Sequence, residues 1–474
     1  MKIRNTTNNT VYIEDMDLYL PYKDGEPEEI SSDTLKKSKG LRSFIISGTL
    51  EVVEYNPDER IEASIVFLKS QQDQRVLEQQ KEEPPEEISI SDLETNVDDI
   101  EVRIHGIFYD AGGYGKVNRN LALKLHEAGI KVRVDPKNSQ NQLKASELNP
   151  IMELTKTKIS KNHISIDSVI PTFAEYSTSK YRILYTTIES YSIPKQFLEC
   201  CQMYSEIWLT SPWSASILKK YTDKPIYVIP TGADPILYTE TGPRFDFKPN
   251  IKNFVFLSVF GWGKRKGYDV LLKAYFEEFS AKDDVSLLIA SRYQSGITKF
   301  HRDKIRDDIN DIMRGFPNKE MPHVVRYSQI IPEQQMPQLY RAANCFILLS
   351  RGEGGGLPPV EASLCGLPVI MTNVSGQQTY LRNDNAFLIE MDRLMKTPTG
   401  YFGIHYWDGQ EFPDLTSQGV TDQVRKAMRY VIEHPEEAQL RNHRLQKLIK
   451  EQFTWNNTAN AAIERLRAIK KEMN

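Results

Sequence analysis

The sequence predicts an α/β protein of two doubly wound halves facing a cleft, with a small β-rich module in front of them. Three stretches carry that prediction. The run from Glu101 to Phe108 is a strand, followed by the turn Asp110-Ala111-Gly112-Gly113-Tyr114-Gly115-Lys116 and a helix with Val117, Leu121, Leu125 and Ala128 on one face. A second, nearly continuous apolar strand from Phe254 to Phe260 runs into Gly261-Trp262-Gly263-Lys264-Arg265-Lys266-Gly267 and another helix. A third apolar run, Cys345-Phe346-Ile347-Leu348-Leu349, runs into Ser350-Arg351-Gly352-Glu353-Gly354-Gly355-Gly356-Leu357-Pro358-Pro359-Val360-Glu361. Strand, glycine turn and helix in succession is the unit that gathers ligands at the carboxyl edge of a parallel sheet.

Taken in order, residues 1–70 alternate in the manner of short strands, at Val11–Ile13, Leu18–Leu20, Phe44–Ile46 and Ser64–Leu68, with turns at Lys23-Asp24-Gly25 and Asn56-Pro57-Asp58. Residues 71–100 are a linker. They hold ten acids against Arg75 and Lys81, and Lys81-Glu82-Glu83-Pro84-Pro85-Glu86-Glu87 repels itself into an extended form. The first half then spans 101–242. Gly129 ends its first helix, and Lys131-Val132-Arg133-Val134 is its second strand. Tyr185–Pro194, Glu206–Trp213 and Pro225–Asp234 supply further strands and loops. The second half spans 243–450, with strands at Val285–Ala290 and His323–Val325. A last helix in 451–474 carries Ile463, Leu466 and Ile469 on one face.

The chemistry concentrates after Leu349. Three glycines let the backbone turn tightly and approach a ligand closely. Pro358 and Pro359 suit a helix's first turn, where no amide bond is lost. Free amides and the positive end of the helix dipole then face the loop and attract an anion such as a phosphate. Glu361, placed in that first turn, could simply complement the dipole. Glu353, beside three glycines, has no helix to cap. A carboxylate accepts from two hydroxyls at once, as a sugar or a ribose diol offers them. Glycines for a diphosphate and acids for hydroxyls describe a nucleotide-sugar site.

Glu353 to Glu361 resembles the E-x7-E signature of family-four retaining glycosyltransferases, which have the GT-B fold of two Rossmann-like domains. The resemblance covers about 101–474. It includes Cys365-Gly366-Leu367-Pro368-Val369-Ile370 after the helix and Val228-Ile229-Pro230-Thr231-Gly232-Ala233-Asp234 where the chain leaves the first half. It implies that Glu353 contacts the donor sugar and Glu361 the ribose. It implies further that Gly354, Gly355, Gly356 and Leu357 line the donor, and that Gly112, Gly113 and Tyr114 approach its phosphates. Lys266 is similar to the family's diphosphate-binding lysine. Trp262 stands where many members carry arginine, so Lys264 or Arg265 supplies the second cation. The last helix resembles the one that crosses back to the first domain in GT-B enzymes. The implied reaction is retaining and metal-independent, moving a sugar from a UDP- or GDP-sugar to a glycan, protein or other hydroxyl acceptor, with no cofactor.

Composition bounds the alternatives. With 474 residues, 40% hydrophobic and 26% charged, most of the chain should fold as two or three soluble domains. A net charge of −4 argues against a nucleic-acid binder, although the acidic front leaves about +8 on 101–474. No apolar run reaches the roughly 20 residues of a membrane span, and the polar N-terminus lacks a signal-peptide core, so the expectation is cytoplasmic. Cys200, Cys201, Cys345 and Cys365 lack C-x-x-C spacing and read as reduced thiols. Asp15-Met16-Asp17 matches a D-x-D metal motif by chance, having no strand of the right kind before it. Two other readings stand beside glycosyl transfer. One is a catalytically weak sugar-nucleotide-binding component of a larger, phage-like assembly, attached through residues 1–70. The other is a nucleotide-dependent dehydrogenase, disfavoured because the turn after the first strand lacks its third glycine.

Overall fold

A computed structural model of the chain describes residues 100–473 apart from 138–142, 144, 172–173, 175–178, 248–250, 293–297 and 404, together with five short strands in the first hundred residues. The chain divides into two compact units, Met1–Ser89 and Ile90–Asn474. In the first unit Lys2–Asn5 pairs antiparallel with Glu28–Glu29 on one side and Leu50–Glu54 on the other. Val11–Ile13 and Leu18–Leu20 form an antiparallel pair. The strands expected at 44–46 and 64–68, the acids of 15–17 and the linker 71–99 lie outside the described residues.

The second unit holds two six-stranded, all-parallel sheets. The first runs Ile226–Val228, Glu206–Leu209, Tyr181–Thr186, Ile164–Ser168, Glu101–Gly106, Lys131–Pro136 in spatial order. In the second the order is His323–Tyr327, Val285–Arg292, Phe254–Gly261, Cys345–Leu348, Val369–Thr372, Phe387–Ile389. Helices cover these sheets, so their central strands read as continuous apolar runs; all four residues of Cys345–Leu348 are buried. Phe254–Gly261 and Cys345–Leu348 are spatial neighbours whose connections leave in opposite directions. The loops after them, 262–267 and 349–356, therefore meet at the switch point of the sheet.

The tail helix, Trp455–Met473, does not stay with the second half. Trp455, Ala459, Ala462, Ile463, Leu466 and Ile469 are buried in one cluster with Val117, Leu121 and Leu125 of the first half. Burying the four large side chains is worth on the order of 10 kcal/mol before chain entropy, so packing decides where this helix lies. Arg465 then pairs with the fully buried Glu206 at 2.7 Å. All four cysteines are buried and unpaired. No helix among the described residues is long and apolar enough to cross a membrane.

Candidate active site

Three backbone segments of the second half converge on Glu353. The 3-10 turn Lys264–Lys266 ends at Gly267, which has φ +69° and whose missing side chain leaves room for the Leu349 carbonyl. Arg351 is fully buried; its guanidinium makes a bidentate pair with Asp269 at 2.9 Å and donates to the Lys264 carbonyl. Its backbone N–H donates to the Arg265 carbonyl at 2.7 Å, so the two loops move as one piece. The third segment is Ser375–Thr379. Ser375 Oγ accepts from the Glu353 N–H at 2.8 Å, and the Gly376 N–H donates to the Glu353 carbonyl at 2.9 Å. Among the described residues Ser375 is the one non-glycine with positive φ, at 53°.

On this frame Lys266 Nζ donates to Glu353 Oε1 at 2.5 Å. Arg265 Nη1 stands 4.0 Å from the same carboxylate oxygen and 3.0 Å from Glu189 of the first half. Lys264 points elsewhere, its Nζ 4.8 Å from the centre of the Tyr401 ring. Of the two cations left open by the sequence, Arg265 is the one beside Glu353. Burial pushes the Glu353 carboxyl up, but Lys266 and Arg265 outweigh it and hold the group below the ordinary range. Burial pushes Glu189 the other way, above that range; Arg265 and Lys266 oppose the shift and the Glu353 charge adds to it. The two carboxyls of one cleft thus have their ionisation displaced in opposite directions.

Glu361 forms a second centre. The helix runs Leu357–Leu364 with Gly356 as its cap, so Glu361 is the fifth helical residue. The sequence reading placed it in the first turn; because the helix opens at Leu357, the carboxylate falls at the start of the second turn. There it is buried, with Lys116 of the first half on one oxygen and Tyr340 OH donating to the other at 2.8 Å. Tyr380 lies between the two acids, its hydroxyl donating to the Gly356 carbonyl at 2.8 Å, and both carboxylates hold its own ionisation far up after burial.

Of the remaining predicted residues, Gly354, Gly355 and Leu357 lie where the halves touch, whereas Gly113 faces open space. A Cβ on Gly354 would stand 2.0 Å from Thr187 Oγ1, and one on Gly355 would stand 2.4 Å from Thr231 Oγ1. Their missing side chains admit the first half as closely as any ligand. Leu357 packs against the apolar cluster of the first half. Gly112 caps the helix Gly113–Glu127, so Gly113 and Tyr114 are its first two residues; Tyr114 OH lies 3.0 Å from Thr186 Oγ1.

Sequence reasoning missed Lys116, Glu333, Ser375 and a hairpin. A cation at a helix's positive end opposes the dipole, which was the available signal for Lys116. The hairpin pairs Arg393–Lys396 with Glu411–Asp414 and is tied to the first half. The Tyr191 N–H donates to the Glu411 carbonyl at 2.8 Å, Ser192 Oγ donates to Gln410 at 2.8 Å, and Tyr406 packs among first-half apolar residues. A separate depression of about 450 Å³, lined by Ile309, Met313, His323 and Arg326, opens at the amino ends of the strands, away from these groups. Among the described residues no group of three or more His, Cys, Asp or Glu could hold a metal ion.

Residues 251–396 match the family described as glycosyl transferases group 1. Over 51 residues the chain is 45% identical to O-antigen chain mannosyltransferase B of Escherichia coli, a match that spans 11% of this chain and 13% of that relative. Sucrose-phosphate synthase from Thermosynechococcus elongatus superposes with a TM-score of 0.56 at 16% identity, over 79% of this chain and 100% of that one. HepE of Anabaena in complex with UDP-glucose does so with a TM-score of 0.52 at 15% identity, over 78% and 100%. At such identities the likeness to these structures is one of fold. The stretch that matches the group 1 glycosyltransferase family, residues 251–396, lies within the second half of a GT-B fold.

Proposed function

We propose that the chain moves a sugar from a nucleotide-sugar donor to a hydroxyl acceptor, with retention at the anomeric carbon and without a metal ion. The observation that carries the reading is the Lys266–Glu353 pair, with Arg265 4.0 Å from the same oxygen, at the switch point of the sheet. In this reading the diphosphate replaces Glu353 as the partner of Lys266 and Arg265. The carboxylate so released accepts from donor-sugar hydroxyls, and Glu361 accepts from the ribose. The bond from the anomeric carbon to the diphosphate oxygen breaks, a bond to the acceptor oxygen forms, and the acceptor's proton passes to the leaving phosphate. The two cations and the loop amides stabilise the charge that develops on that phosphate. Contact of the halves at Gly354 and Gly355 favours exclusion of water, which limits hydrolysis. The complex of a fold relative with UDP-glucose makes a UDP-sugar the first donor to try. A cytoplasmic setting, and attachment to a protein assembly through residues 1–70, belong to the same proposal.

The test is a panel of UDP- and GDP-sugars, with and without candidate acceptors, read by mass spectrometry; NMR of the product assigns the anomer and EDTA the metal requirement. Glu353→Gln and Lys266→Met should each lower kcat by about 10²–10³ while leaving the folded state intact. Nucleotide binding without turnover by any donor would replace transfer with a binding role, and full activity of Glu353→Gln would remove that residue from the chemistry.

A further inference from the structure

Lys116 is the fourth residue of the helix Gly113–Glu127, and its ammonium is buried where the halves meet. An ammonium has three N–H donors. All three are committed: one to Glu361 Oε1, one to Glu333 Oε1 and one to Tyr238 OH at 2.8 Å. Glu333 and Glu361 both belong to the second half, and each is bound again by a tyrosine, Tyr238 OH at 2.7 Å and Tyr340 OH at 2.8 Å. Arg119, which faces Glu333 from the same helix, spends its Nη1 on the carbonyls of Phe108 and Asp110 at 2.7 and 2.8 Å. Burial works against the Lys116 charge, and Glu361 and Glu333 outweigh it, holding the ammonium above its ordinary range. The cation that neutralises the pair of acids is thus supplied by the opposite half of the molecule.

Two consequences follow from that placement. Opening the cleft would withdraw Lys116 from both carboxylates at once, leaving two acids of like charge in a partly buried setting. Only with the halves together is Glu361 fixed from both of its oxygens, so only then is it held in one orientation towards an incoming hydroxyl pair. We propose that Lys116 is a positioning residue for the donor: it aims Glu361 at the ribose of a nucleoside-diphosphate sugar, and does so only in the closed state, so that one ion pair sets both closure and nucleotide affinity. The identity of the ligand rests on the glycosyl-transfer reading above; the closure of the halves does not.

The experiment uses the full chain with Lys116→Arg, Lys116→Met and the pair Lys116→Met/Glu333→Gln, in which the surplus buried carboxylate is removed so that folding is protected. Small-angle X-ray scattering without nucleotide reads closure, and calorimetry with UDP and GDP reads affinity. The expected result is a larger radius of gyration and at least tenfold weaker nucleotide binding for both Met variants, with most of the affinity kept by Lys116→Arg. Donor KM should rise by the same factor while kcat stays within about threefold. In a Glu361→Gln background, Lys116→Met should cost less than twofold, because its effect passes through that carboxylate. Scattering and affinity unchanged in Lys116→Met/Glu333→Gln would overturn the proposal, as would a tenfold loss that persists with Glu361→Gln. Failure of the wild type to bind either nucleotide would overturn the transfer reading, and the scattering comparison would then decide the latch by itself.

Discussion

Replacing Ser375 separates backbone strain from hydrogen bonding at Glu353. With φ at 53°, Ser375 holds a conformation that costs a side-chain-bearing residue about 1–2 kcal/mol, while its hydroxyl satisfies the buried Glu353 N–H at 2.8 Å. Ser375→Ala keeps the strain and strips the bond, leaving a buried donor unsatisfied at a cost of about 1–3 kcal/mol. Ser375→Gly strips the same bond but releases the strain; the greater freedom of glycine in the unfolded chain returns about 0.4–1 kcal/mol of that gain. The glycine variant should therefore be more stable than the alanine variant by roughly 1 kcal/mol, which for a domain of this size is a difference of about 2–4 °C in unfolding midpoint. Both should lose activity to the same extent, since both free the backbone that aims Glu353. Differential scanning fluorimetry beside kcat for the best donor provides the readout. Equal midpoints would refute the strain, and wild-type turnover in either variant would refute the role assigned to the hydroxyl.

Other perturbations test separate joints of the site. Gly267→Ala would bring a Cβ to 1.8 Å from the Leu349 carbonyl at a positive φ, so it should lose activity and several degrees of thermal stability together, by activity assay and melting curve. Glu189 and Glu353 should give opposite pH signatures in unfolding midpoints. A raised carboxyl stabilises below its unfolded pKa and loses that contribution as pH rises through the folded value, so the wild type should lose stability over that window and Glu189→Gln should not. The lowered Glu353 stabilises above its unfolded pKa, and that contribution should vanish on acidification through its folded value, a slope removed by Glu353→Gln. Arg465→Met leaves Glu206 buried without its cation and should cost about 3–5 kcal/mol in chemical unfolding, with Glu206→Gln in the same chain recovering much of it.

The fold was legible because covered parallel strands must be apolar along their whole length, as at Phe254–Gly261 and Cys345–Leu348, and because glycine turns punctuate them. That Lys266 and Glu353 share one site was legible although they are 87 residues apart, since loops after neighbouring strands of such a sheet must meet; their ion pair was not. Lys116 and Glu361 are 245 apart and on different halves, so nothing local could pair them. Ser375 escaped because positive φ is ordinarily read from glycine, and the strain there is imposed by two bonds to Glu353 rather than by its own residue type. The hairpin around Arg393–Asp414 carries turn residues at Pro398, Gly400, Gly403 and Gly409 and so resembles an ordinary loop; its order comes from Tyr191 and Ser192 of the other half.

These differences share one cause, and it bears on how the site works. Inside the second half Glu353 is fixed through its own N–H and C=O and through the Arg351–Asp269 rivet, none of which a substrate needs to disturb. Two of the side-chain pairs are of another kind: Lys266 with Glu353 and Arg265 with Glu189 join groups that a diphosphate or a sugar hydroxyl could take over. A preorganised backbone carrying exchangeable ion pairs lets an anionic donor enter by substitution, replacing one set of buried charge contacts with another rather than desolvating bare charges. That is why the frame was written locally in strands and glycines, while the pairs that span the cleft, Arg265 with Glu189 and Lys116 with Glu361, emerge only when both halves are in place.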